Sequence, residues 1–408
     1  MSGRSRRREL ATLLACHGIM VAGLALSFPF FALYLYRERG VPMGLVGLSL
    51  SLVLASTALS QAWGGELSDL HGPKTVMQWA LAFRGAASLG LALAVRAKAP
   101  VAALVGIYLL DAFGGNFYGP AVRTWIADRY EPAERSTYIG YQRIAGNLGW
   151  AVGPALGGLV AQTSYPLLFS VSAAACAFCW ALLRSGIGDA PAARGGESFV
   201  VGGILQGARD PRLLEYCAYT LAITTVMTQL VASLSVHCVS VVGLTERQVG
   251  LLFGLNGAIV ALFQAPLTRL LRRGRLSAAL SIGCALYAAG YGWVGFARSL
   301  STMAAAVAVV TFGEVSASPS LYALAANLAP AGWRGRYVGL HGVSAQAGQA
   351  LGPLLGGMAL QHVTPWWAAG PWLLVAGLAC VAAAGFARFG RRLSEHEEGL
   401  APLSAAQA

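Results

Sequence analysis

The sequence predicts an all-α polytopic membrane protein of about twelve transmembrane helices, arranged as two pseudo-symmetric six-helix bundles. Three observations carry that expectation. Hydrophobic residues make up 56% of the 408 positions and charged residues 11%, with a mean hydropathy of +0.60. A water-soluble globule would have about a quarter of its positions charged, so the solvent for most of this chain is a bilayer. Apolar runs able to cross a hydrocarbon core of about 30 Å recur along the whole length. Finally, Gly119 to Gly158 aligns with Ser318 to Gly357 without a gap at an offset of 199, and both stretches close on Gly-Pro-x-Leu-Gly-Gly. A chain that repeats itself this way is two copies of one unit, and in an apolar chain such duplication points to a transporter.

In chain order the spans fall at roughly 10–36, 42–65, 75–95, 99–127, 136–162 and 165–186, then 212–241, 246–270, 277–297, 300–328, 335–361 and 366–388. Span 1 follows a basic cluster but is too long for a secretory signal and is succeeded by further spans, so it reads as a first helix. Spans 2 and 3 are joined by the short polar turn Gly65 to Lys74. Span 4 contains Gly114-Gly115 and leads through Asp128-Arg129 into span 5. Spans 5 and 11 carry the repeated Gly-Pro motif, and span 6 carries Cys176 and Cys179, two small apolar residues at helical spacing. Span 7 opens on Asp210-Pro211, a helix cap followed by proline in the first turn. Span 8 ends in the basic run Arg269 to Arg275, and spans 9 to 12 are separated by short loops. The expected organisation is therefore a bundle over 1–186, a cytoplasmic linker over 187–211, a second bundle over 212–390 and a disordered cytoplasmic tail over 391–408.

Charge orients the spans. The ends shared with the N-terminus carry Arg4, Arg6, Arg7, Arg8, Lys74, Arg129, Arg135, Arg194, Arg209, Arg212, Arg269, Arg272, Arg273, Arg275, Arg334, Arg336, Arg391 and Arg392, whereas the opposite loops carry few basic residues. By the positive-inside rule both termini are cytoplasmic. The net charge of +12 is then mostly a topology signal, and arginines scattered over six loop regions make a nucleic-acid surface a poor alternative. Arginine far exceeds lysine, which points to a bacterial source and so to the inner membrane. No acyltransferase, Walker or metal-ligand motif is present, so neither an enzyme nor a metal or other cofactor is expected.

Four groups of residues have functional potential. Gly149, Gly153 and Gly157 share one face of span 5, with Pro154 and Gly158 beside them; Gly348, Gly352, Gly356, Pro353 and Gly357 repeat the arrangement in span 11. Such grooves allow close backbone approach, and each proline frees a carbonyl, so these faces are expected to be pliable and to meet the opposite half. At the cytoplasmic side Gly65, Asp69, Gly72 and Lys74 form an acid-turn-base loop, and Asp128 and Arg135 a second acid-base hairpin; together they make a candidate ionic gate. Asp111 and Glu314 are the acids that fall mid-span, where desolvation suits a carboxyl group to carrying protons; pairing of Asp111 with Arg84 or Arg143 is the alternative. Arg143, Asn116, Asn147, Gln229 and Asn256 offer polar contacts for a substrate cavity.

On these motifs the chain resembles the major facilitator superfamily, and within it the twelve-helix drug:proton antiporters. Gly65, Leu67, Asp69, Gly72 and Lys74 match the superfamily signature G-x-L-x-D-x-x-G-x-K, and Gly149, Gly153, Pro154, Gly157 and Gly158 match the antiporter signature G-x-x-x-G-P-x-x-G-G. The departures are Leu70 and Pro73 where bases are usual, an absent arginine near Tyr108, and a second-half loop that has lost its acid. The resemblance implies the major facilitator fold and a monomeric secondary transporter that exchanges a small amphipathic molecule for a proton. An importer or facilitator of a polar metabolite, or a membrane sensor, remains open at this point.

Overall fold

A computed structural model describes residues 3–188, 208–271, 274–330 and 333–400, and among these every regular element is helical. The helices are α1 (Gly3–Leu33, continued by a π turn Tyr34–Glu38), α2 (Met43–His71), α3 (Pro73–Arg96), α4 (Val101–Gly115 and Tyr118–Arg129), α5 (Pro132–Ala161) and α6 (Tyr165–Gly186). The second set is α7 (Pro211–Met227, a 3-10 turn Thr228–Leu230, then Ser233–Ser240), α8 (Glu246–Leu271), α9 (Leu276–Phe296), α10 (Leu300–Asn327), α11 (Arg334–His362) and α12 (Gly370–Gly390). Eleven are long and apolar enough to cross a membrane. The exception, α11, is diluted by glycine and by Arg336, His341, Gln346 and Gln349.

Local signals start these helices. Asp210 caps α7 by accepting the Arg212 N–H at 2.8 Å, with Pro211 in the first turn as expected. Thr245 and Gln248 bond each other's backbone N–H at the start of α8, and Ser299 and Thr302 do so at α10. Gly72 takes φ +82°, open to glycine, and Pro73 begins α3 directly after it. Because α2 runs unbroken to His71, Gly65 and Asp69 sit on its last turns rather than in the expected loop; only Gly72 makes the turn.

The chain forms two compact units. The first comprises Met1–Val41, Leu52–Phe199 and Thr245–Gly257; the second comprises Pro42–Ser51, Val200–Leu244 and Ala258–Ala408. In the first, α1 packs on α5 and α6, and α3 on α6 and α4. In the second, α7 packs on α11 and α12, and α9 on α12 and α10, the same plan shifted by six helices. The first core gathers Leu13, Met20, Val76, Met77, Trp125 and Leu183. The proposed boundaries at 186 and 212 do not describe the ends of α2 and α8, since the first turns of each lie in the unit built mainly by the other half. The linker positions 189–207 fall outside the described residues.

Residues 391–400 correct the expectation of a disordered tail. Glu398 is 1% exposed, its carboxylate accepts the Ser277 N–H at 2.9 Å and the Ser277 hydroxyl, and the Asn327 amide donates to the Glu397 carbonyl at 3.2 Å. A carboxylate over the free N–H groups that open α9 complements the helix dipole, which is why this polar segment folds back. Residues 401–408 of the expected tail fall outside the described residues.

Candidate functional site

The repeated glycine faces resolve into two kinds of contact. A Cβ on Gly149 would lie 2.6 Å from the Gly18 carbonyl oxygen, and one on Gly153 2.5 Å from that of Ala22; Gly157 faces Leu26 and Phe30. All these partners are on α1, so the face expected to meet the opposite half packs inside its own. Gly348, Gly352 and Gly356 likewise face Thr224, Thr228 and Gln229 of α7. The contact with the other half is made one residue further round the helix. A Cβ on Gly158 would lie 3.0 Å from the Gly250 Cα of α8, and one on Gly357 3.1 Å from the Gly47 Cα of α2. One residue is about 100° of helical rotation, enough to present a neighbouring glycine to a different helix.

Each crossing sits beside a motif proline. A Cβ on Gly250 would meet the Pro154 carbonyl oxygen at 2.7 Å, and Gly47 approaches that of Pro353. The α2–α11 crossing is also hydrogen-bonded: the Gly44 N–H donates to Gln361 Oε1 at 2.8 Å and the Leu354 N–H to Ser51 Oγ at 3.0 Å. Near the start of α8, Glu246 pairs with Arg37 from the end of α1.

The two mid-span acids have different surroundings. Asp111 is 6% exposed, and its Oδ1 lies 3.6 Å from Nε of Arg84, itself 3% exposed. Arg84 also donates to the Met20 sulfur at 3.1 Å, and Gly115, one turn after Asp111, provides the space its guanidinium fills. This is the pairing alternative realised with Arg84; Arg143 is exposed on α5. Glu314 is half-buried on α10, within electrostatic reach of Tyr287 and Tyr291.

Of the polar cavity candidates, Gln229 is withdrawn by its bonds. It is 1% exposed, donates to the Thr225 and Gly352 carbonyls at 3.1 and 2.8 Å, and accepts from Ser233 at 2.6 Å. It thereby satisfies backbone where α7 loosens into a 3-10 turn and α11 meets its proline. Asn116 closes the first segment of α4 and donates to Thr57 of α2 at 3.2 Å and to the Ala112 carbonyl at 2.5 Å. Asn147 and Asn256 are half-buried on α5 and α8.

At the N-terminal end, Asp128 lies within electrostatic reach of Asp69, Arg135 and Arg129, so the gate residues from α2 and the α4–α5 hairpin do gather. Arg135 is anchored by donating to the Tyr130 carbonyl at 3.0 Å. Sequence reading missed Glu9, which is 8% exposed and binds Arg129 at 2.8 Å while Arg129 also holds the Gly188 carbonyl at 3.0 Å. The lone acid after a run of arginines was the available signal. Among the described residues no cluster of metal-ligating side chains occurs.

Comparison with known proteins gives a consistent result. The sequence model of the Major Facilitator Superfamily matches residues 13–353 and 216–405. The chain is 22% identical over 364 residues to the uncharacterized MFS-type transporter YdeE of Escherichia coli K12, covering 88% of this chain and 91% of that protein. It is 25% identical over 396 residues to the multidrug resistance protein MdtH of Aeromonas hydrophila, covering 92% and 94%. Among solved structures, the nucleoside transporter NupG superposes with a TM-score of 0.80 at 13% identity, covering 93% of this chain and 99% of that one. A POT family transporter in complex with 5-aminolevulinic acid gives 0.78 at 14% identity, covering 94% and 96%.

Proposed function

The chain belongs to the Major Facilitator Superfamily and is a multi-pass membrane transporter, not an enzyme, and from that premise we propose that it exports small amphipathic molecules by alternating access in exchange for protons. It does so as a monomer in a bacterial inner membrane, with both termini cytoplasmic. The observation that carries the alternating-access part is the pair of glycine-on-glycine crossings, Gly158 with Gly250 and Gly357 with Gly47. Small residues there let the backbones approach closely, and a face without interlocking rotamers gives a closed contact that can re-form in one register. They lie at the end where basic residues are sparse, the outer end by the positive-inside rule. At the inner end Asp69, Asp128, Arg135 and Lys74 act as the counter-gate, whose charges must rearrange when the crossings open.

Glu314 is the proton carrier in this reading, because it is a half-buried mid-span carboxyl set within reach of Tyr287 and Tyr291. Arg143, Asn147 and Asn256 remain candidate substrate contacts. Similarity to MdtH and the match at Gly149 to Gly158 support drug-like molecules as the substrate class and export as the direction.

The test is reconstitution into liposomes holding a pH-sensitive dye, with a panel of lipophilic cations, nucleosides, peptides and amino acids. Movement of a lipophilic cation against proton movement is the expected result, and Glu314→Gln should abolish pH-driven transport while sparing exchange between two loaded compartments. Uptake of a polar metabolite, or Glu314→Gln transport at the wild-type rate, would overturn the reading.

A further inference from the structure

In the second unit four rings run one against the next towards the end that carries the α9–α10 loop. Tyr287 stacks on Tyr291 with centroids 6.0 Å apart, Tyr291 stacks on Trp372 at 5.7 Å, and Trp372 meets the edge of His237 at 5.0 Å. All four are at most 2% exposed. Yet both ring nitrogens of His237 and the Trp372 indole N–H have no hydrogen-bond partner among the described protein atoms, and the Tyr291 hydroxyl has only the Leu230 backbone within reach. Buried polar groups are almost always satisfied, and where protein atoms do not serve, water does. Three unsatisfied atoms on His237 and Trp372, with the Tyr291 hydroxyl beside them, are a polar thread through an apolar helix bundle.

The thread has two ends. At one, Arg298 follows α9, its guanidinium held by the Gly295 and Ala297 carbonyls at 3.0 and 2.9 Å, within electrostatic reach of His237. At the other is Glu314, within reach of Tyr287 and Tyr291; a Cβ on its neighbour Gly313 would lie 3.0 Å from the Tyr287 ring, which fixes α10 against this part of α9.

We propose that His237 is a water-assisted proton relay that connects the outer end of the second unit to Glu314. This deepens the function proposed above and rests on its assignment of Glu314. One ring nitrogen of neutral His237 takes a proton from water at the Arg298 end, giving an imidazolium. The other ring nitrogen then releases its proton to water on the Tyr291 side. The Tyr291 hydroxyl passes that proton on by accepting one and giving up another, and the Glu314 carboxylate receives it to become a neutral acid. One proton enters, one is stored on Glu314, and the imidazole returns to its neutral form. The charged group facing His237 is Arg298 from the loop, while Tyr291 and Tyr287 of α9 lie on the far side of the Trp372 ring. The α12 helix presents Trp372, which does not titrate, and Glu314 on α10 lies beyond the tyrosines. The α11 helix meets α7 one and two turns away, at Ser233 and Gln229 opposite Gly356.

The experiment follows protonation of Glu314 itself and needs no substrate. Infrared difference spectroscopy after a rapid pH drop, on the full chain in lipid nanodiscs, records the carboxyl band of Glu314, identified by its loss in Glu314→Gln. In His237→Gln the band should reach its full height but rise more slowly by on the order of tenfold or more. Tyr291→Phe, which keeps the stacked ring, should also slow it, and decides the matter if the histidine variant does not fold. Wild-type rates in the variants would overturn the relay while leaving Glu314 as the carrier. Absence of a titrating Glu314 band in the wild-type protein would overturn the carrier assignment, and the relay with it.

Discussion

The two halves share one plan and fill it with opposite chemistry. Where α1 meets α5, glycines face Ala22, Ala25, Leu26 and Phe30; where α7 meets α11, the equivalent glycines face Thr224, Thr228, Gln229 and Ser233. The first half neutralises its buried acid with Arg84, whereas the second sets Glu314 beside stacked aromatic rings. The α5–α8 crossing is flanked by an ion pair whose Arg37 side chain is 52% exposed, while the α2–α11 crossing is closed by two hydrogen bonds. Exposed ion pairs are screened by salt and worth little, so the two crossings differ in what opens them. Duplication has kept the packing plan while the side chains that fill it have diverged.

The strongest way to break this comparison is Asp111→Asn. If the first half is a static scaffold, the change strands a buried guanidinium and costs about 3–5 kcal/mol, so the protein should fail to accumulate in membranes. Joint replacement of Arg84 and Asp111 by leucine should restore accumulation. A well-folded Asp111→Asn protein with altered pH-driven transport would move proton chemistry into the first half.

Next in size are the glycines. Gly158→Leu and Gly357→Leu obstruct the crossings and should slow turnover by on the order of tenfold or more while substrate binding persists, because two close backbones cannot both shift to admit a branched side chain. Gly153→Leu instead drives into α1 and should lower thermal stability by about 1–3 kcal/mol. Wild-type turnover in both crossing variants, measured in proteoliposomes, would show that these contacts do not part during transport.

A smaller effect separates the crossings from each other. Ser51→Ala and Gln361→Ala should each weaken the α2–α11 crossing by about 1 kcal/mol, read as faster labelling of a cysteine placed beside it, at low and high salt alike. Arg37→Ala should change labelling at the α5–α8 crossing by about 0.5 kcal/mol or less, and only at low salt. Equal salt responses would erase the distinction.

The smallest expected effect concerns the tail. Burial opposes the charge on Glu397, but the Ser394 N–H and hydroxyl and the Arg212 guanidinium outweigh it and hold this carboxyl below the usual range. Its contribution is therefore present above the ordinary glutamate pKa of about 4.3 and is lost as pH falls through the lowered value. Acidification should release residues 391–400, seen as faster proteolysis there, and Arg212→Ala should move the release to higher pH.

The helical plan was legible because hydropathy and a gapless repeat are one-dimensional signals, and the Asp210-Pro211 and Gly72-Pro73 boundaries follow from backbone chemistry alone. The direction of the glycine faces was not, since it depends on a rotation of about 100° between Gly157 and Gly158 that spacing does not anchor to a neighbour. The partners Gly47 and Gly250 had a signal in the shared Val-Gly-Leu of 46–48 and 249–251, but their offset is 203 rather than 199, so a gapless comparison passes over them. The His237 thread had none, because its rings come from α7, α9 and α12. The tail was misread because a polar composition describes a surface as well as it describes disorder.

The exchange of the first turns of α2 and α8 also bears on how the chain is made. Gly158 leaves the ribosome about ninety residues ahead of Gly250, so through that interval one face of α5 lacks its native neighbour. The first compact unit is therefore complete only once Thr245–Gly257 has been made. A bare glycine face asks little of the lipid that covers it meanwhile, whereas a knob-and-hole surface would leave gaps. The smooth face proposed to let these helices part would equally suit them to waiting in an unfinished chain.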